Sequence, residues 1–322
     1  MIQSGKMIEL LTQPEIADKK TAWLFGGGGA AGCNQVGHIC GLIEKCQWKN
    51  VILVEGISTG SLQATALAQG VTHISKLVDI WDTITFKKVC KGTAWKFLKW
   101  VNGIFGGGVY SLDPLKKLMT EFIDINLIRN SGIALRVGVV DYNLKEFQHW
   151  NPLSFPEDEF FRRIIASCSI PGEMRGQNFE KHGRNHWCFD GGVMDVIPQV
   201  DTAIEMGADR IIFSLCRSGV PLVDNDNYNT GIKTLKETLS LMTGDGIRDD
   251  LQIAKNSIER INEEVRNGVD TNKRIIDFIL LEPAPYRENV GTLEFDQKKM
   301  KCSQLAAQDE AVQQAFDYYS RR

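Results

Sequence analysis

No run of about 18 apolar residues occurs in this 322-residue chain, so no segment is expected to cross a bilayer as a helix. The chain also lacks a large charge of either sign. Its 37 Lys and Arg stand against 40 Asp and Glu, a formal net charge of −3. That balance gives no global attraction to nucleic acid, and none is expected as a partner. The eight cysteines form no CxxC and no metal-type spacing, so no metal site is expected. The first twenty residues carry charges throughout and contain no continuous apolar core of signal-peptide length. A reduced, cytoplasmic chain is the expectation.

What is present is an alternation of strands and helices from Thr21 onward. "TAWLFG" reads as a buried strand, and a helix comes next from about Ala30 to Cys46, with Val36, Ile39, Leu42 and Ile43 at helical spacing. Cys33, Cys40 and Cys46 fall on it as small buried side chains. "VILVEG" is the second strand, and a helix starts near Ser58. Further helices are predicted over 73–85 and 113–122, the latter with Asp113 as N-cap and Pro114 in the first turn. "IALRVGVV", "EFQHW", "HWCFD", "RIIFSL" and "DFILLEP" read as strands. "QVDTAIEMGA", 231–267 and 296–319 read as helices. Short apolar strands separated by helices imply an α/β fold with a mostly parallel sheet covered on both faces. No repeat or linker divides the chain. One domain over 21–322 is expected, with motifs in 21–215, a C-terminal strand and helices in 216–322, and an extension over 1–20.

Four consecutive glycines, Gly26 to Gly29, come after the first strand, and two readings of them compete. Gly27, Gly29 and Gly32 fit G-x-G-x-x-G, and Glu55 closes the next strand where a dinucleotide-binding fold uses an acid on the ribose. No Gly-Lys-Ser/Thr comes after it, which excludes a P-loop. The second reading takes the loop's N–H groups as donors to the oxyanion of an acyl-transfer intermediate. "GISTG" favours it: Gly56, Ser58 and Gly60 form a G-x-S-x-G between a strand and a helix, the setting of a nucleophile elbow. Ser58 then needs a proton acceptor. Asp190 in "FDGGV" is the most suggestive acid, at a strand end before Gly191 and Gly192. Of His38, His73, His149, His182 and His186, none lies beyond Asp190, so a Ser–Asp–His order built on it is impossible. A carboxylate acting directly on the serine remains the economical choice, with burial raising its pKa.

In this order "GGGGAAG", "GISTG" and "DGG" resemble the patatin-like phospholipase family. "GVYSLDPLKKLM", "ASCSIPGEM", "AIEMGADRIIFSL" and "TLEFDQKKMKCSQLAAQDEA" are similar to it as well, so the resemblance runs from about Thr21 almost to the end. It implies a three-layer α/β/α sandwich that hydrolyses lipid esters with a Ser–Asp dyad, without metal or cofactor. Carried onto this chain, Ser58 is the nucleophile and Asp190 the general base, and the N–H groups of Gly27, Gly28 and Gly29 form the oxyanion hole. Gly32, Gly56, Gly60, Gly191 and Gly192 support the motifs. One departure stands out: the family's basic residue after G-G-G-x is Ala31 here. That removes a cation able to hold a phosphate head group, while the backbone donors survive.

Residues 87–105 mix lysines with Trp95, Phe97, Trp100 and Phe105. That composition suits peripheral contact with an anionic bilayer, or a lid whose aromatics pack inward. The leading expectation is a serine lipid acyl hydrolase with a lipid or phospholipid substrate. The alternatives are a dinucleotide-dependent oxidoreductase using Glu55 and a catalytically weak lipid-binding module. Oligomeric state has no signature in the sequence.

Overall fold

The computed structural model describes residues 2–92, 108–181, 183–195, 197–218, 231–269, 274–284 and 290–322. The strands of its main sheet are β1 (Thr21–Phe25), β2 (Val51–Ile57), β3 (Ala134–Asp141), β4 (Glu146–Trp150), β5 (Gln177–Lys181), β6 (Arg184–Asp190), β7 (Arg210–Ser214) and β8 (Asp277–Leu281). They form one sheet in the order β8-β7-β1-β2-β3-β6-β5, with β4 also paired to β3. The first five of that order run parallel. β4, β5 and β6 are antiparallel additions at one side.

The helices that build the site and its support are α1 (Ile2–Leu11), α2 (Cys33–Ile39), α3 (Thr59–Leu67), α4 (Ile74–Thr83), α5 (Asp113–Phe122), α6 (Glu157–Ser167), α7 (Gly231–Arg266) and α8 (Gln297–Tyr319). β1 is buried along its whole length, so its apolar run conceals an alternation between two cores. Trp23 and Phe25 join Val36, Leu67, Leu115 and Ala311 on one face. Ala22 and Leu24 join Phe213, Ala254 and Ile258 on the other. Helices on both faces of a mostly parallel sheet make the three-layer α/β/α architecture expected from the sequence. Among the described residues no helix is long and apolar enough to cross a membrane.

Several elements differ from their sequence reading. The helix expected over Ala30–Cys46 is broken into a 3-10 turn at Gly29–Gly32, then α2, then a wide π-type turn at Cys40–Lys45. Gly29 has φ +60°, which regular helix forbids, so α2 can start only after the glycine turn closes. Cys33, Cys40 and Cys46 are buried and form no disulfide. Burial pushes Cys40 and Cys46 up to about 12. Asp113 is not an N-cap: it lies inside the first turn of α5, and its N–H donates to Ser111 Oγ at 3.1 Å. The helix expected in "QVDTAIEMGA" is only Asp201–Glu205, ended by Gly207 at φ +73°. β5, "QNFEK", has no strand signature in the sequence, because a polar edge segment carries no apolar periodicity.

At the amino ends of β1, β7 and β8, Thr21, Arg210 and Asp277 lie side by side in register. Arg210 is fully buried, stacks 3.5 Å over the Trp48 ring and donates to Thr21 Oγ1 and the Ile16 carbonyl. Asp277 accepts from Lys19, Tyr318, Tyr319 and Arg322. Leu11 of α1 is fully buried, and its carbonyl takes the Trp48 indole N–H at 2.9 Å.

Candidate active site

Pairing on β3 decides what meets at the carboxyl end of the sheet. Val137 and Gly138 pair with both β2 and β4, and Val139 to Asp141 pair with both β4 and β6. A strand has two edges, so β2 and β6 share one of them end to end. β2 stops at Ile57 opposite Gly138, and antiparallel β6 stops at Asp190 opposite Val139, the next residue along. Two residues 132 positions apart, Ser58 and Asp190, are thereby set head to head.

Ser58 turns the chain from β2 into α3 at φ 57° and ψ −129°, a region costly for any residue with a Cβ. Glycines make the sharp turn fit: a Cβ on Gly60 would lie 2.4 Å from the Phe25 carbonyl oxygen, and one on Gly56 2.1 Å from that of Gly60. Asp190 is buried, and its Oδ1 accepts the Gly192 N–H at 2.9 Å. The Ser58 side chain lies close enough to the same carboxyl group to favour its charged form. Burial pushes Asp190 from 3.8 up to about 6, while Ser58 and the Gly192 N–H pull it down.

The glycine loop lies against the serine. A Cβ on Gly27 would sit 3.1 Å from Ser58 Cβ and 3.8 Å from its Oγ. The loop is held at both ends: the Gly26 N–H donates to Ser214 and the Ala30 N–H to Thr292. Gln35 of α2 donates to the carbonyls of Gly26 and Ser214, both at 2.8 Å. Between these anchors, no carbonyl among the described residues takes the N–H of Gly27, Gly28 or Gly29. All three glycines are half-buried, and Gly27 is the one set against Ser58, with Gly28 against Cys216 and Gly29 against Thr292. Gly32 closes the turn against Gln63, Thr59 and Trp81, and Gly191 packs on Gly138 and Phe147. Ala31 is buried in the core.

The dinucleotide reading finds its acid committed elsewhere. Glu55 is fully buried, bonded to His149 Nδ1 and 3.9 Å from Arg136 Nε, so its carboxylate is not offered to a ribose. Calorimetric titration with NAD(H) is expected to show no saturable binding. Micromolar binding that disappears in Glu55→Ala would restore that reading. His186 is also taken, by Asp141 at 2.7 Å. His182, Trp95, Phe97, Trp100 and Phe105 lie outside the described residues.

The end of α6 and the residues directly after it hold the site together, a role absent from the sequence reading. Ser167 Oγ accepts the Ser58 N–H at 3.0 Å and donates to the Gly138 carbonyl at 2.7 Å. The Ser169 carbonyl accepts the Asp190 N–H at 3.0 Å. These residues belong to "ASCSIPGEM", whose small polar side chains show no role in the sequence alone.

A sequence model of the family described as patatin-like phospholipase matches residues 24–203, which hold the glycine loop, Ser58 and Asp190. The chain belongs to the patatin-like phospholipase family. Membership places it among lipid ester hydrolases. No curated protein matches the chain over its sequence. Among solved structures it is similar to VipD from Legionella pneumophila, at 12% identity and TM-score 0.47, over 94% of this chain and 67% of that one. It is similar to human GIVD cytosolic phospholipase A2 at 10% identity and TM-score 0.44, over 97% and 63%. It is similar to the ExoU–SpcU complex of the Pseudomonas aeruginosa type III secretion system at 14% identity and TM-score 0.37, over 94% and 52%. The patatin-like chain described here thus spans between 52% and 67% of the lengths of these three.

Proposed function

We propose that this patatin-like protein cleaves carboxylic ester bonds of lipids through an acyl-enzyme on Ser58, with Asp190 as general base. The observation that carries the reading is the head-to-head ending of β2 and β6 on β3, which sets the Ser58 hydroxyl against the Asp190 carboxyl group. Ser58 Oγ attacks the ester carbonyl as its proton passes to Asp190. The oxyanion that forms takes hydrogen bonds from the N–H groups of Gly27, Gly28 and Gly29. Asp190 returns the proton to the departing alcohol, leaving an acyl group on Ser58. Water then repeats the sequence and releases the fatty acid. An acceptor alcohol in place of water would give acyl transfer with the same residues. The scheme uses no metal ion or cofactor.

Support for a lipid substrate comes from the rim of the site as well as from the family. β3 and β6 extend past the level of Ser58, and Tyr142, Leu144 and Trp187 are exposed there. Val193 and Met194, directly after the Asp190 turn, are exposed too. Large apolar side chains left to water beside a reactive centre suit a substrate drawn from a lipid aggregate.

A fluorophosphonate probe tests the chemistry before any substrate is chosen. The wild-type protein should be labelled, and Ser58→Ala should not, while keeping its circular dichroism spectrum. Labelling of folded Ser58→Ala would remove Ser58 as nucleophile, and an unlabelled wild type would remove the serine-hydrolase reading.

A further inference from the structure

We infer that Ser167 is a positioning residue for the nucleophile: its hydroxyl locks the Ser58 turn to β3 and so holds the serine in line with Asp190. The inference rests on the Ser58–Asp190 reading and deepens it. Ser58 occupies a backbone conformation that a serine does not adopt unaided, so some neighbour must over-determine it. Ser61 Oγ and Cys168 Sγ donate to the Ser58 carbonyl, at 2.6 Å and 3.3 Å. Those contacts hold the side of the turn that leads into α3. Only Ser167 holds the amide before the reactive side chain, among the described residues.

Ser167 is fully buried and uses its hydroxyl in both senses, accepting from Ser58 N–H and donating to the Gly138 carbonyl. Gly138 is the partner of Ile57 at the last β2 rung, and the next residue, Val139, is the partner of Asp190. One hydroxyl therefore ties the nucleophile's backbone to the strand that also positions the base. Two residues on, the Ser169 carbonyl holds the Asp190 N–H. The end of α6 grips both reactive residues from one rigid segment, as a preorganised site requires. A second consequence concerns the oxyanion. The Ser58 N–H is spent on Ser167 and is not offered to a tetrahedral intermediate.

Ser167→Ala removes the acceptor and the donor together, leaving the Ser58 turn free to relax. Ser167→Cys keeps the volume with a weaker, longer hydrogen bond. Turnover of a soluble p-nitrophenyl ester, counted per probe-titrated site, should fall between about tenfold and a hundredfold in Ser167→Ala. KM should change by less than about twofold, because an interaction that aligns the reacting atoms is lost and not one that binds substrate. Ser167→Cys should lie between Ser167→Ala and wild type. The acid midpoint of kcat should move upward in Ser167→Ala, since a displaced Ser58 does less to favour the charged form of Asp190. A lower melting temperature with unchanged turnover per titrated site and unchanged midpoint would overturn the inference and leave Ser167 a fold residue. Failure of both variants to fold would overturn it for the same reason. Wild-type protein that the probe does not label would instead fail the Ser58 reading itself, so the two failures are told apart by the wild-type arm alone.

Discussion

Asp190→Asn is expected to lower turnover of a soluble ester by at least about a hundredfold and to raise the melting temperature in the same protein. The loss comes from the proton. An amide cannot accept it from Ser58, and no other described carboxyl group is placed against that hydroxyl. The gain comes from burial. The Asp190 carboxyl has its pKa pushed from 3.8 up to about 6, because its charged form is poorly solvated inside the protein. Below pH 3.8 it is protonated in both folded and unfolded chains and contributes no difference. Between pH 3.8 and 6 the unfolded chain gives up its proton first, so stability falls as pH rises. Above pH 6 the deficit is complete, about 3 kcal/mol on the usual conversion of pKa shift to free energy. Asn carries no charge and keeps an oxygen for the Gly192 N–H, so it is relieved of that deficit at neutral pH. A gain of several degrees at pH 7.5 should shrink toward nothing at pH 4. The wild-type rate should itself fall below a midpoint near pH 6, as the base becomes protonated. An Asp190→Asn protein less stable than wild type at pH 7.5 would mean that Asp190 is ionised and well solvated, and would remove the physical basis for its use as a base.

The features legible in the sequence are those that depend on local chain chemistry. "TAWLF" and "VILVEG" are apolar because both faces of β1 and β2 are covered, and that run length shows directly. The turns at Gly29 and Gly56–Gly60 demand glycine for steric reasons, so their motifs stand out against any background. The pairing of Ser58 with Asp190 is reached in the sequence by the lack of a histidine beyond Asp190 and by the family resemblance, and its geometry is not encoded locally. Its physical cause is the change of partner halfway along β3, and no local pattern encodes a change of partner. Ser167 is invisible for a related reason: a buried serine bonded to the backbone of the Ser58 turn and of β3 looks, in sequence, like any small residue near a helix end. At Ala31 the sequence shows that the family's basic residue is missing, and the structure adds that the alanine methyl is packed in the core among apolar neighbours.

Asp277→Ala is expected to destabilise the fold by about 3 to 5 kcal/mol while leaving the chemistry of each folded molecule untouched. Asp277 is buried at the amino end of β8, where its two oxygens accept from Tyr319 at 2.6 Å, Arg322 at 2.8 Å, Tyr318 at 3.2 Å and Lys19. Lys19 and Arg322 are partly exposed and can turn to water when the carboxylate is gone. Arg210 cannot. It is fully buried over Trp48, and burial pulls its pKa down while Tyr319 and Asp277 hold it up. Removing Asp277 takes away a negative charge that makes a buried guanidinium tolerable, and leaves two tyrosine hydroxyls short of an acceptor. Asp277→Asn keeps the acceptor oxygen and loses only the charge, so it should fall between wild type and Asp277→Ala. Denaturant titration should show a lower midpoint with an unchanged slope, since the surface exposed on unfolding is the same. Four residues of β1 separate Thr21 in this cluster from Gly26 of the glycine loop, about 17 Å along the strand. Probe labelling and the acid midpoint of turnover should therefore match wild type wherever the variant is folded. An Asp277→Ala protein melting within a degree of wild type would mean that Arg210 is carried by Thr21, the Ile16 carbonyl and the Trp48 ring without a counter-charge. The amino end of the sheet would then be held by packing, with the ion cluster adding nothing.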